Sequence, residues 1–178
     1  MSGHSKWSQI KRKKGVEDQK RSKVFGMHAK AINVEIKRAG GDRHHPKVRS
    51  AIERARAVNM PNENIERAIA SATGAGAADL TEVLYEAYGP GGSAILIEGI
   101  TDNKNRTSQE LKHLLSLYGS NLATPGSVTW AFKKTDLGWA PLSPLEITEF
   151  EAQQLADLLD ALEENEDVKT VTTNVPDL

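Results

Sequence analysis

The chain of 178 residues contains no cysteine. That absence removes disulfides, thiolate metal sites and cysteine nucleophiles together. Aromatic residues make up only 5% of the chain, three each of Trp, Tyr and Phe. Long apolar runs are missing too: the strongest, Ala94–Ile97, falls far short of a membrane span. Met1–Lys14 is basic but leads into no apolar stretch, which argues against a secretory signal. It is too lysine-rich, and too soon followed by Glu17 and Asp18, to resemble an organelle transit peptide. The expectation is a soluble cytoplasmic protein with no membrane partner.

What the chain does have is charge, unevenly placed. Residues 1–73 carry seventeen Lys or Arg against seven Asp or Glu, a balance of +10. Residues 74–178 carry six against seventeen, a balance of −11. The formal net charge of −1 hides this division. A basic front joined to an acidic back points to a polyanion partner and to separate structural units.

Residues 1–21 have few apolar side chains and no repeating apolar face, so they read as a basic flexible arm. Its first sixteen residues, fully extended, would span about 50 Å. Residues 22–73 read as a helical domain. Phe25, Ala29, Ile32, Ile36 and Ala39 recur at helical spacing from a start near Lys20, and Gly40-Gly41 ends the helix. Pro46 suits the first turn of a second helix with Val48, Ala51, Ile52 and Ala55 inward. Asn62 suits the N-cap of a third, with Ile65, Ala68, Ile69 and Ala72 inward. Residues 74–80 read as a hinge, small and glycine-bearing.

Residues 81–178 change period. Glu82–Tyr88 and Ser93–Ile100 alternate as strands joined by Gly89-Pro90-Gly91-Gly92. Thr107–Glu110 and Thr148–Glu151 are capping boxes. Val128, Trp130 and Phe132 alternate with Thr129, Ala131 and Lys133 in another strand; a weaker extended stretch covers about Leu137 to Ile147, and Val168–Asn174 is the last strand. The class expected is α+β, a three-helix domain with a basic arm followed by a ferredoxin-like domain with one extra leading strand.

Nucleic-acid contact is the chemistry best supported. Lys6, Lys11, Arg12, Lys13, Lys14, Lys20, Arg21 and Lys23 crowd the arm and the start of the helix. Six such cations on duplex phosphates would give a log–log salt slope of roughly −5. His4 and Trp7 add flat rings, and stacking contributes about 1–3 kcal/mol per unpaired base. Lys23, Lys30 and Lys37 form a stripe at seven-residue spacing, and Arg49, Arg54 and Arg56 lie outside the second helix's apolar side. A solvated charge run that only aids solubility is the plainer alternative. No helix-turn-helix pattern is visible, so backbone or shape recognition is favoured over base readout.

Other features carry less. Gly89–Gly92 lacks the Walker lysine and precedes a strand, so it reads as a tight connection. Lys104, Asn105 and Arg106 precede a helix and mark a second anion site; turn and cap hydrogen bonds are the competing reading, and Asp102 opposes an anion. The histidines have no partners at ligand spacing. No catalytic residue, metal, cofactor or small-molecule substrate is expected. An enzyme built on the 89–92 and 102–107 loops would lack an evident nucleophile and base.

These residues carry a resemblance. Gly3-His4-Ser5-Lys6-Trp7, Asp18–Lys23, Ala51–Ala55, Asn59-Met60-Pro61, Tyr85–Gly92, Thr101–Thr107 and Gly126-Ser127-Val128 resemble the YebC/PmpR family, whose mitochondrial relatives activate translation. Leu155–Val171 is similar to the family's C-terminal helix and strand. The resemblance implies a non-enzymatic regulator of gene expression. It implies either a transcriptional regulator binding DNA through its basic N-terminal region, or a ribosome-associated factor binding ribosomal RNA and relieving stalls such as those at proline runs. Family members carry a third domain inserted after the strand that here ends near Lys133. This chain passes to its final helix without it, and is expected to be a short form.

Overall fold

The computed structural model describes the backbone of residues 3–74, 77–136 and 138–176, with side chains from residue 17 onward. The order is three helices, then an antiparallel sheet interleaved with two more. The chain divides into two compact units, Met1–Ala78 and Asp79–Leu178.

The first unit holds α1 (Gly3–Arg38), α2 (Pro46–Ala57) and α3 (Asn62–Thr73). The apolar stripe of α1 behaves as its spacing predicts: Ile32 and Ile36 are buried, with Phe25, Ala29 and Ala39 packed around them. Val48, Ala51, Ile52 and Ala55 of α2 and Ile65, Ala68 and Ala72 of α3 complete this core. Met60, between α2 and α3, joins it. Alanine on facing helices lets the backbones approach closely, so a small core closes. Gly40, at φ +62°, ends α1, and the N–H of Gly41 returns to the Ile36 carbonyl at 2.9 Å. That left-handed conformation favours glycine.

The start of α1 differs from the expected one. The helix begins at Gly3 rather than near Lys20, so the backbone read as an arm without regular structure is helical from Gly3. The physical reason is that Lys, Arg, Gln and Glu are good helix formers even without an apolar face. Apolar periodicity reports burial, and it is silent about a solvated helix. Asn62 is the first residue of α3; Pro61 occupies the cap position.

In the second unit, β1 (Thr81–Tyr88), β2 (Ala94–Thr101), β3 (Asn121–Leu122) and β6 (Val168–Thr173) form one sheet, ordered β3-β1-β2-β6. All its neighbours are antiparallel. α4 (Lys104–Leu117) and α5 (Glu149–Glu163) cover one face. Tyr85, Ala87, Ile95 and Ile97 point into that layer and meet Leu111, Leu115, Leu155, Leu158 and Leu162. Leu96 and Ala94, on the opposite pleat, meet Val128, Ala131 and Phe132, with Trp139 packed beside them. The sheet thus buries apolar side chains on both faces, which explains the near-continuous burial of β2.

The α+β class stands as the pattern predicts. The path near residue 130 is corrected. Thr129–Ala131 is a 3-10 turn, and β4 (Phe132–Thr135) pairs only with β5 (Gly138–Pro141), in a separate hairpin. Val128, Trp130 and Phe132 therefore do not share one side of a strand: Val128 and Phe132 are buried and Trp130 is 66% exposed. The capping box at Thr148 is present, with the Thr148 hydroxyl accepting from Glu151 N–H and the Glu151 carboxylate accepting from Thr148 N–H. The other box is replaced by an earlier start: α4 opens at Lys104 with Asn103 as its cap.

Candidate nucleic-acid interface

Four cations stand on α2: Lys47, Arg49, Arg54 and Arg56, all exposed. Glu53 is the helix's one acidic residue. At 3.6 residues per turn, Lys47 and Arg54 share one margin of the exposed face, and Arg49 and Arg56 share the other. Between them lie Ser50, Glu53 and Ala57, also exposed. The arrangement follows from Val48, Ala51, Ile52 and Ala55 being drawn into the core. Each cation then has nowhere to go but the rim. Lys47 was not among the residues expected at this surface, although its seven-residue spacing from Arg54 was available.

Other cations of this unit are differently placed. Lys20 and Arg21 are exposed on α1. Lys23, Lys30 and Lys37 are half-buried, and each has an interaction partner. One of these is the Ala78 carbonyl, which accepts from Lys37 Nζ. The expected stripe is therefore partly drawn into local bonding. Arg43 pairs with Glu66 at 2.9 Å and Arg67 with Glu63 at 3.0 Å. His4, Lys6, Trp7, Lys11, Arg12, Lys13 and Lys14 fall within the span of α1, but their side chains lie outside the described residues.

Around residues 102–107 the geometry runs toward internal bonding. Arg106 Nη2 donates to Asp102 at 2.8 Å and to Asp167 at 2.9 Å, and Nε lies 3.7 Å from Glu110. Hydrogen bonding to Asp167, and then to Asp102, raises the Arg106 pKa above its ordinary value. Asp167 is 4% exposed. Its Oδ2 also accepts from the Thr107 hydroxyl at 2.7 Å, and that hydroxyl lies 2.8 Å from Thr101 Oγ1. Asn103 caps α4 by accepting from Arg106 N–H at 3.1 Å. This loop is a clamp joining the end of β2 and the start of α4 to the approach to β6. Lys104 and Asn105 are exposed beside it, while the Arg106 guanidinium is directed at three carboxylates.

A second buried carboxylate was not legible in the sequence. Glu86 on β1 is 6% exposed and accepts from three backbone N–H groups: Gly126 at 2.5 Å, Val128 at 2.7 Å and Thr129 at 3.0 Å. Burial alone would raise its pKa, but the three backbone bonds outweigh burial and hold it below the ordinary value. The loop from Thr124 to Thr129 is thus wrapped on an anion supplied by the protein itself.

A groove of about 380 Å³ runs beside this loop, lined by Leu84, Tyr85, Ser108, Lys112 and Thr124 among others. Among the described residues there is no group of three or more His, Asp or Glu that could hold a metal ion, and no helix is long and apolar enough to cross a membrane.

Residues 5–75 match the TACO1/YebC protein N-terminal domain, and residues 80–137 match the TACO1/YebC second and third domain. The second match stops at the β4–β5 turn, where β4 ends at Thr135 and β5 begins at Gly138. Among similar proteins, a probable transcriptional regulatory protein of Petrotoga mobilis is 47% identical over 82% of this chain and 59% of its own length. One from Thermotoga maritima is 46% identical over 89% of this chain and 61% of its own length. One from Chloroherpeton thalassium is 45% identical over 100% of this chain and 72% of its own. The chain thus spans about three fifths of the length of the first two. The crystal structure of a conserved hypothetical protein from Aquifex aeolicus superposes with a TM-score of 0.80 at 28% identity, covering 89% of this chain and 92% of that one. With the two domain matches adjoining at the boundary between the compact units, and 45–47% of the aligned residues shared with these relatives, the chain belongs to the TACO1/YebC family.

Proposed function

We propose that this protein is a non-enzymatic, nucleic-acid-binding regulator of gene expression that grips phosphates with its first unit. One observation carries the reading: α2 presents Lys47, Arg49, Arg54 and Arg56 to solvent with a single acid, Glu53, on the same helix. Four clustered cations repel one another, and a polyanion relieves that repulsion while counterions are released. Lys20 and Arg21, exposed on α1, and the basic run Lys6–Lys14 are proposed to add further phosphate contacts. Arg106 is left out, because its charge is already met. The names of the relatives, probable transcriptional regulatory proteins, support DNA as the first target.

A specific feature of α2 also favours a second target, structured ribosomal RNA in a ribosome-bound translation factor. The middle of the exposed face carries Ser50, Glu53 and Ala57, while the cations stand at its two margins. That spacing suits phosphates on either side of a groove better than a run of base edges.

Both targets are tested by measuring affinity for promoter DNA, scrambled duplex and ribosomal RNA fragments across a salt series. A DNA regulator keeps a preference for its own sequence at about 150–200 mM salt, where phosphate-only contacts weaken steeply. Equal affinity for every duplex, together with co-sedimentation with ribosomes, moves the assignment to RNA. The double substitution Arg49→Glu and Arg56→Glu should reduce the log–log salt slope by about two. Failure of the protein to bind any of these at low salt would end the reading.

A further inference from the structure

The second unit is acidic as a whole, yet residues 121–145 carry Lys133 and Lys134 against one acid, Asp136. The same segment presents the most exposed indole among the described side chains. Trp130 is 66% exposed, and its Nε1–H donates to the Ser127 carbonyl at 2.8 Å. The Tyr88 hydroxyl, from β1, donates to that same carbonyl at 2.8 Å, and Tyr88 is 43% exposed. Two aromatic rings are therefore fixed by their polar ends to one oxygen, with much of their apolar surface left in water. Leu142, 54% exposed, is brought alongside by its N–H bond to the Ala131 carbonyl at 2.7 Å. Lys133 and Lys134 follow on β4, both exposed.

The rings do not cover the core, since Val128, Ala131 and Phe132 already do so. Nor are they loose. The loop that carries Ser127 is held by Glu86 through three backbone N–H bonds, so the carbonyl that orients both rings is itself anchored to β1. Fixed, exposed aromatic faces next to cations are what stacking on unpaired bases requires: a flat apolar surface with its conformational cost already met, and charge for the adjoining phosphates. A protein partner would gain little from the two lysines unless it were acidic, whereas every nucleotide supplies both a base and a phosphate.

We propose that Trp130 and Tyr88, with Lys133 following on β4, form a platform on which unpaired bases of a single-stranded nucleic acid stack. Glu86 acts as a positioning residue for that platform. The proposal deepens the nucleic-acid reading above and rests on it. It adds a contact in the acidic unit, of a different kind from the phosphate contacts of α2.

The test uses the full chain, a labelled oligothymidine strand of about twelve nucleotides, within the usual site-size range, and a duplex of equal length. Fluorescence anisotropy gives both affinities for the wild type, Trp130→Ala, Trp130→Phe, Lys133→Glu and Arg49→Glu/Arg56→Glu. Trp130→Ala should weaken the single strand about tenfold or more and leave the duplex unchanged. Trp130→Phe should restore most of the loss, and Lys133→Glu should lower the single-strand salt slope by about one. The exposure of Trp130 makes these variants compatible with an intact fold, which a thermal melt checks. If the wild type binds the strand and Trp130→Ala binds it equally well, the platform is overturned while the α2 reading stands. Binding of the duplex alone has the same consequence. If Trp130→Ala instead abolishes self-association seen by sedimentation, the rings belong to a second copy and the proposal is overturned. A wild type that binds neither strand nor duplex overturns the platform, and leaves the α2 reading to be decided on ribosomal RNA.

Discussion

The two units use charge in opposite ways. In the first, the core is made of apolar side chains at helical spacing, and ionic groups lie at the rim. Two of its ion pairs, Arg43–Glu66 and Arg67–Glu63, have side chains that are half exposed or more, and such pairs contribute little to stability. Its remaining α2 cations face water. In the second unit the decisive carboxylates are inside. Glu86 gathers a loop and Asp167 gathers the ends of two elements, each with its acceptor capacity used by N–H or O–H donors. The net sign of a unit therefore says little about where its charge acts. The basic unit keeps its α2 cations exposed, and the acidic unit has turned two of its anions into structural ties.

The largest test of that contrast is Glu86→Ala. Removing the carboxylate strands three backbone donors, of which the Val128 bond is buried, and urea unfolding should show a loss of about 3 kcal/mol. A change below about 0.5 kcal/mol would mean the loop holds itself. Gly99→Ala comes next. A Cβ there would lie 2.5 Å from the Asp167 carbonyl oxygen and 3.2 Å from Val83 Cγ2. Backbone cannot yield as a side-chain tip does, so about 2 kcal/mol should be lost in the same measurement.

The pH dependence sharpens the comparison. Glu86 has a lowered folded-state pKa, so in acid the unfolded chain binds its proton first. Its contribution to stability is fully present above the ordinary glutamate value of 4.5 and is lost as pH falls through the lower folded value. Unfolding titrations should show this acid loss for the wild type, and it should be flattened in Glu86→Gln, which starts from lower stability at neutral pH. The smallest effect on folding is expected in the first unit. Arg49→Glu/Arg56→Glu should move the unfolding midpoint by less than about 0.5 kcal/mol while changing nucleic-acid affinity strongly. A large loss of stability there would show that the α2 cations are structural after all.

Much of the fold was legible because burial leaves a periodic trace. Ile32, Ile36, Val48, Ala51, Ile65, Leu111, Leu155 and Leu158 are core residues as their spacing predicts. The capping box at Thr148 is equally local and equally readable. Two misreadings have the same source. Alternation placed Trp130 on one side of a strand with Val128 and Phe132, yet a 3-10 turn breaks the period of two at Thr129. Absence of an apolar face placed no helix before Lys20, yet a helix needs propensity rather than burial to form there. The candidate interface was half legible. Arg49, Arg54 and Arg56 were recognised from charge alone, but their division between two margins, with Lys47 completing one of them, needed the orientation of α2. The Tyr88–Trp130 pair had only a faint signal, two adjacent lysines close to a tryptophan in an otherwise acidic stretch.

By itself, the sequence determined what depends on neighbours within a few positions: helix and strand periods, caps, the change of sign near residue 74, and family membership. Tertiary structure alone decided which charges are spent within the molecule and which face outward. Glu86 meets its donors some forty residues away, and Asp167 meets Thr107 across sixty. Such partners are selected by the closing of the sheet and its helices, because desolvating a carboxylate is tolerable only where several donors converge on it, and no local pattern records where that convergence will be.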